Sequence, residues 1–528
     1  MGGGARYVTE LVGACERYAG RPAIGAGAVL LSYADVLTLT YRLAGALEEL
    51  GVRRGTGLAC VTAGNPYEAL PVRLAAHVLG ARLTQVSVGP ATHGLDFLLR
   101  DCEPVLVVHD TPVPDTGAAR ITLAGLLERA AAREARPVPV RAREEDVARV
   151  TYTGGTTGRP KGVASTFAAL AARDGARGAE TVYLSVTSLA QRSGGRCLEQ
   201  LRAGGRSQIL GGPFDPGGFA AACRRLGPVS TYLTTSMVYR LLDHPPTARG
   251  VPGLERVSYG DSPIAPERLR QALTRWGPGV RWRQGYGMNE AGVICRLSEA
   301  DHDAARTTRP ELLASVGRPA PGVEVEVRGA DGTTVLGPGA TGEVWVRSGT
   351  VMAGYWRRPD LTAEVLRDGR LRTGDLGHLD ADGYLYLDDR VKDVVMVDGE
   401  NIYCGPVEAA LSRHPAVAEA AVVGRPDAVT GEQVCAFLVP AAGHAPTDGA
   451  AAGACARVAA ELAPDHRPTA VFWLPALPLT DRGKPDKRRL RARAAAAGSG
   501  AGGAAGSGAG GAAGSGAGGA AGSGAGGG

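Results

Sequence analysis

The chain is poor in aromatic side chains, 5% of its 528 residues, and poor in net charge, with 58 Lys and Arg against 53 Asp and Glu. A formal charge of +5 over that length is too dilute for the basic stripe that a polyanion requires, which excludes nucleic acid as a partner. No uninterrupted apolar run reaches the length of a membrane-spanning helix. The opening MGGGARYVTE lacks the apolar core of a signal peptide, and Arg6 stands where a myristoylation signal would carry Ser or Thr. The nine cysteines, at 15, 60, 102, 197, 223, 295, 404, 435 and 455, never adopt the spacing of a metal-ligand or redox pair. An odd, scattered set reads as reduced thiols, so the expected location is cytoplasmic.

What is abundant is glycine, 78 residues. Part of it lies in a tail, residues 498–528, where GSGAGGAA repeats in perfect register until a truncated copy ends the chain. That segment cannot bury a core and is expected to be a disordered low-complexity tail. The remaining length exceeds what one hydrophobic core serves, so at least two domains are expected. In the first 145 or so residues, helical patterns such as LSYADVLTLTYRLAGALEELGV (31–52) alternate with the apolar runs LACV (58–61) and PVLVVHD (104–110). That order implies α/β layers. Later, VEVEV (323–327) and GEVWVRS (342–348) alternate strictly, and Asp331-Gly332 and Asp382-Gly383 are hairpin turns, so the middle of the chain adds antiparallel structure.

The densest chemical signal is VTYTGGTTGRPKGV, residues 150–163. After a β-branched run, four glycines, three threonines and one lysine fall within ten residues, 153–162. Glycines let successive N–H groups point into one concavity, while Thr hydroxyls and the Lys161 ammonium add donors, which is chemistry suited to a triphosphate. The spacing is not the Walker pattern, because Arg159-Pro160 intervene before Lys161 and Gly162 follows it.

TYTGGTTGRPKG resembles the phosphate loop of the adenylate-forming enzymes, which include acyl-CoA synthetases, luciferases and peptide-synthetase adenylation domains. Further similar segments follow in the family's order: YGDSPI (259–264), QGYGMNE (284–290), TGEVWVRSGTVMAGYW (341–356), RTGDL (372–376), DRVKDVVMVDGENIYCGPVE (389–408) and PLTDRGKPDKRRL (478–490). The resemblance implies a fold of class α/β. A large N-terminal adenylation domain, residues 1–390, has layered sheets and a small β-barrel-like part, and a small mobile α+β lid, residues 391–497, follows. It implies ATP, Mg²⁺ and coenzyme A as cofactors and a carboxylic acid as substrate, with an acyl or peptidyl carrier protein as the alternative acceptor.

On that resemblance Thr153, Gly154, Gly155, Thr156, Thr157, Gly158 and Lys161 cradle the phosphates. Gly260, Asp261 and Ser262 run along the adenine edge. Gly285, Tyr286, Gly287, Met288 and Asn289 continue the nucleotide site, with Tyr286 packed on the base, and Glu290 holds the metal. Asp375 accepts the ribose hydroxyls, a role that fits an acceptor-only carboxylate facing a vicinal diol, and Arg390 joins it. Lys484 is the late lysine that reaches the substrate carboxylate and α-phosphate, Lys392 is the hinge, and Gly399 lies in the loop that faces the thiol. Lys484, Glu290 and Lys161 are the expected catalytic residues, since two anions must be brought together among cations and donors aimed at the developing charge.

The chain departs from the family at four places. Gly154 replaces a Ser, Asn289 replaces the Thr before the metal-binding acid, Gln191 stands where a His gates the acyl pocket, and Met396 stands where several CoA ligases carry a Lys. Residues 184–195 contain no Asp or Glu, which disfavours an amino acid substrate. With 228–240 and 257–262 they are expected to line the acyl pocket, with Gln191 and Ser236 among the lining residues, and a lipophilic or bulky acid is expected. Two other readings stand against an acid:CoA ligase: a catalytically weakened nucleotide- or acyl-adenylate-binding protein, or half-reaction specialist, of the same fold, and a phosphotransferase, which the loop spacing weakens.

Overall fold

The computed structural model describes residues 4–89, 94–153, 160–173, 181–262, 264–391, 393–397, 400–427, 429–480 and 484–499. The expected segments 154–158, Lys392 and Gly399 lie outside these residues.

Two large mixed sheets form the first two thirds of the chain. In the seven-stranded sheet, Gly57–Thr62, Arg82–Ser87 and Pro104–His109 run parallel at the centre. Gly57–Thr62, which contains LACV, is buried at every position because apolar clusters cover both its faces. One cover is the helix Tyr33–Glu49, which starts at a capping box formed by Ser32 and Asp35 and presents Leu43 and Leu47 to the core. It falls inside the pattern expected over 31–52.

The nine-stranded sheet carries Val182–Ser185, Val229–Thr234, Leu254–Gly260 and Arg281–Met288 in parallel, with antiparallel strands at both edges. Its core holds Phe219, Tyr259 and Trp282. The alternating segments pair as expected: Val323–Arg328 lies antiparallel to Gly342–Ser348, from Val323 opposite Ser348 to Arg328 opposite Glu343. They belong to a five-stranded antiparallel sheet in which Arg370–Leu379 and Leu385–Arg390 join at Asp382-Gly383. There the Asp380 carboxylate accepts from the backbone of Asp382 and Tyr384 at 2.9 and 2.8 Å.

A fourth sheet is built from the last part of the chain. Val417–Asp427 and Gly431–Pro440 form its long antiparallel pair, and Ala470–Trp473 adds in parallel. Neighbouring residues of one strand face opposite cores, Val422 toward the helix Cys404–Ser412 and Val423 toward the helix Lys487–Ser499. All nine cysteines are buried and free. Among the described residues no helix is long and apolar enough to cross a membrane.

One buried histidine makes the fold sensitive to acid. His302, on the helix Glu299–Thr307, is 1% exposed; its Nε2 lies 2.9 Å from the Tyr259 hydroxyl and its Nδ1 2.7 Å from the Ser298 carbonyl. Burial pushes the imidazole down from 6.5 to about 4. The unfolded chain therefore takes up this proton at a higher pH than the folded one. The stabilisation from neutral His302, about 3 kcal/mol, is complete above the unfolded value and lost as pH falls toward the folded value. Equilibrium unfolding measured across this interval should fall less steeply with acid in His302→Gln, and equal slopes would refute the assignment.

Candidate functional site

The parallel strands of the large sheet place the site at their C-terminal ends, where ligands of open α/β sheets bind. Thr234 lies opposite Gly260, and Gly260 opposite Gly285. A Cβ on Gly260 would sit 2.5 Å from the Gly285 carbonyl oxygen, so glycine is needed to keep these strand ends in register. The chain then turns sharply: Asp261 has φ +70°, a left-handed conformation that costs a non-glycine residue energy and concentrates at functional sites. Its carboxylate pairs with Arg192 at 2.8 Å, and the Arg192 guanidinium lies 5.1 Å from the Tyr232 ring centroid. The Ser262 carbonyl accepts from the Thr235 hydroxyl at 3.0 Å. Ser236 lies beside Thr234, oxygen to oxygen 3.0 Å, at the start of the helix Thr235–Asp243. Gln191, expected at the acyl pocket, is exposed at the start of the helix Arg192–Arg202, and it is Arg192 that reaches Asp261.

Two clusters organise the expected nucleotide residues. In the first, Tyr286 donates its hydroxyl to Asp375 Oδ2 at 2.6 Å, and Arg390 Nε donates to Asp375 Oδ1 at 3.1 Å. Asp375 and Arg390 are cross-strand partners, so strand register alone sets their pairing. Asp375 is 8% exposed, and its backbone N–H is held by the Thr373 hydroxyl at 3.1 Å. Burial, then the Asp375 charge, holds the Tyr286 phenol well above its ordinary range, so it stays a donor.

The second cluster joins Lys161, Tyr355 and Glu290. Strand Val147–Thr153 pairs with Lys161–Thr166 so that Thr153 lies opposite Lys161, which puts the lysine at the exit of the glycine-rich loop. The short strand Gly354–Tyr355 pairs with Lys161–Thr166 on its other side, Tyr355 opposite Val163. Lys161 Nζ then lies 5.1 Å from the Tyr355 ring centroid. Glu290 sits in the turn after Arg281–Met288, with Gly287, Met288 and Asn289 leading into it; it is 7% exposed and accepts from the Tyr355 hydroxyl at 3.1 Å. The Met352 N–H binds the Glu290 carbonyl at 2.7 Å, tying the same segment to the turn. A buried carboxylate whose described side-chain donor is a single phenol keeps oxygen lone pairs available, and such a donor set would fit a hard divalent cation such as Mg²⁺.

Lys484 lies in a turn on the C-terminal unit, its N–H bonded to Thr480 Oγ1 at 3.3 Å and its carbonyl to the Thr480 N–H at 2.7 Å. Nearby, one charged contact joins that unit to the end of the strand Leu385–Arg390 and two more lie within the unit. Asp389 accepts from the backbone N–H of Cys404, Lys487 Nζ meets Glu408 Oε1 at 3.0 Å, and Arg491 donates to Asp393 Oδ1 at 2.6 Å. Burial raises both Asp389 and Glu408, and the Lys487 charge opposes it in both. Sequence reasoning missed Tyr355 and Arg192. Tyr355 lies in a segment similar to the family's, TGEVWVRSGTVMAGYW, but its role depends on strand pairing across the chain, for which local pattern carries no signal.

The family model described as AMP-binding enzyme matches residues 12–356, and the AMP-binding enzyme C-terminal domain matches residues 406–484. A medium/long-chain-fatty-acid–CoA ligase of Mycobacterium tuberculosis (strain ATCC 25618 / H37Rv) is 33% identical over 92% of this chain and 89% of its own. A feruloyl-CoA synthase of Amycolatopsis sp is 32% identical over 89% of this chain and 95% of its own. Among solved structures, the amide bond synthetase McbA of Marinactinospora thermotolerans is 33% identical with a TM-score of 0.80, covering 92% of this chain and 99% of that one.

Proposed function

The chain belongs to the AMP-binding enzyme family, and from that membership we propose that it activates a carboxylic acid with ATP and passes the acyl group to coenzyme A. The acid carboxylate attacks the α-phosphate, forming an acyl adenylate and releasing pyrophosphate; the CoA thiol then attacks the acyl carbon and releases AMP. The observation that carries the reading is the meeting of Lys161, Tyr355 and Glu290 at the exit of the glycine-rich loop, with Tyr286, four residues before Glu290, clasped by Asp375 beside Arg390.

Within this reading Asp375 holds the ribose hydroxyls and Tyr286 packs on the base while fixing the Asp375 carboxylate. Lys161 and the loop 153–158 orient the phosphates. Mg²⁺, held by Glu290, would neutralise the phosphates and the leaving pyrophosphate. Tyr355 orients the Glu290 carboxylate, and Lys484 reaches the reacting oxygens from the C-terminal unit. The proposed division is 1–390 for the adenylating part and 391–497 for a lid that turns about Lys392 and brings the loop at Gly399 to the thiol step. The proposed acids are lipophilic or bulky, as the names of the fatty-acid and feruloyl relatives support.

Tyr355→Phe removes one hydrogen bond to a charged group. It is expected to raise the Mg²⁺ concentration needed for half-maximal pyrophosphate exchange by roughly tenfold. An unchanged metal requirement would remove Tyr355 from the site. The reading itself is tested by incubating the protein with ATP, Mg²⁺, CoA and pooled carboxylic acids and detecting acyl adenylate and acyl-CoA by mass spectrometry, with AMP as the nucleotide product. ADP as product, or silence across a broad acid panel, would overturn it.

A second reading, transfer of the acyl group to an amine, is favoured by the likeness to an amide bond synthetase and by Met396, 54% exposed where several CoA ligases carry a Lys. The same incubation with amines in place of CoA separates the two.

A further inference from the structure

Between the helices Arg6–Arg17, Ala69–Leu79 and Arg192–Arg202 and the strand Val147–Thr153 lies a group of positive charges that the proposed reaction does not use. Arg73 is 2% exposed and His77, one turn further along the same helix, 0%. Arg149 from the strand and Arg173 from beyond the helix Phe167–Ala171 complete the group. They sense one another: Arg149 is depressed by burial and then by Arg173 and Arg73, and His77 by burial and then by Arg73 and Arg149.

Neighbouring cations have carboxylates. Arg192 pairs with Asp261 at 2.8 Å, Arg202 with Glu10 at 3.3 Å and Arg196 with Glu199 at 4.0 Å. Among the described residues Arg73, Arg149 and Arg173 have no carboxylate within ion-pair distance, and Glu199, already engaged, is the acid that Arg149 and Arg173 sense. Arg73 donates, among the described residues, to the neutral Gln85 amide oxygen, at 3.4 Å. The Nε atoms of all three arginines and both ring nitrogens of His77 are buried and, among the described residues, meet no hydrogen-bond partner.

A guanidinium does not shed its proton to relieve such a situation, so the charges persist and the donors demand an acceptor. Buried polar groups in folded proteins are satisfied, and an anion with several lone pairs answers both the charge and the geometry. We propose that Arg73, Arg149 and Arg173, with His77 beside them, form a binding site, buried at Arg73 and half-buried at Arg149 and Arg173, for an oxyanion, a carboxylate- or phosphate-type group. The site abuts the expected acyl pocket. A Cβ on Gly194, in the first turn of Arg192–Arg202, would lie 3.2 Å from Arg73 Nη1 and 2.0 Å from the Leu189 carbonyl oxygen. The oxyanion is therefore either the far end of a dicarboxylic substrate or a free inorganic anion.

Two arms of one experiment distinguish the sources. In the first, thermal unfolding of the full chain is followed in inorganic phosphate against chloride at constant ionic strength. A free-oxyanion site raises the wild-type midpoint, with the phosphate concentration for half effect about tenfold higher in Arg149→Met and Arg173→Gln and unchanged in Lys161→Ala, which separates it from the phosphate loop. In the second, pyrophosphate exchange is driven by matched mono- and dicarboxylic acids. A substrate-end site gives the wild type about a tenfold preference for the dicarboxylic acid, and Arg149→Met or Arg173→Gln loses that preference while keeping its rate on the monocarboxylic acid.

Arg173 is partly exposed, so Arg173→Gln keeps the test open if Arg149→Met fails to fold. No effect in either arm, or effects that both variants retain, overturns the proposal. Exchange with any acid upholds the ligase reading on its own, so the two failures are distinguishable.

Discussion

Lys484→Ala is expected to slow acid-dependent exchange of labelled pyrophosphate into ATP by roughly 10²–10³-fold, the scale of losing one preorganised donor at a developing charge. Transfer from a supplied acyl adenylate to CoA should change only a few-fold, because the lysine acts on oxygens that have already left their reacting geometry by that step. The Lys484 backbone is bonded to Thr480 through its N–H and its carbonyl, and truncating the side chain removes neither bond. Lys487, three residues on, offers the contrast. Its ammonium meets Glu408 at 3.0 Å in a half-buried setting, and Lys487→Met should lower stability before it touches either half-reaction. Equal loss of both half-reactions in Lys484→Ala, with stability unchanged, would contradict the role given to it.

The second large effect is expected at Asp375. Asp375→Ala deprives the Tyr286 hydroxyl and the Arg390 guanidinium of a common acceptor that is 8% exposed; Arg390 is exposed and regains water, so the cost is that of a hydrogen bond to a charged group, about 2–3 kcal/mol. Urea unfolding should show that loss. Asp375→Asn keeps the shape and one acceptor oxygen, so it should recover much of the stability while AMP affinity, measured calorimetrically, stays down by roughly 10- to 100-fold, the worth of a charged hydrogen bond. Full recovery of AMP binding in Asp375→Asn would show that the carboxylate charge serves the fold alone.

Much of the architecture was legible because it is written in short-range periodicity. Strict alternation in VEVEV and GEVWVRS gave two half-buried strands that pair residue for residue, and Asp382-Gly383 gave the turn between Arg370–Leu379 and Leu385–Arg390. The pattern over 31–52 contains the helix Tyr33–Glu49, whose start the Ser32 and Asp35 capping box fixes. The candidate residues were legible only as a set of segments in order, since Asp375 or Tyr286 alone has the composition of an ordinary turn or loop. The segment that holds Tyr355 was legible, but the role of Tyr355 was not. Its side chain reaches Glu290 because Gly354–Tyr355 adds to the edge of Lys161–Thr166, a pairing between distant parts of the chain. Arg192 and Asp261 meet for a similar reason, one at a helix start and the other just past a strand end.

The sequence by itself determined the elements and the chemistry available to them: layered α/β halves, an antiparallel middle, a glycine-rich loop ending in Lys161, and carboxylates at 290 and 375. Only the tertiary structure decided which of these groups share a space. It joined Tyr286 to Asp375 and Arg390, and set Tyr355 between Lys161 and Glu290. The reason is physical: dihedral preference and hydrophobic period act over a few residues, whereas strand order and register are fixed by closing long loops around a shared core, and that cost and reward belong to the whole chain.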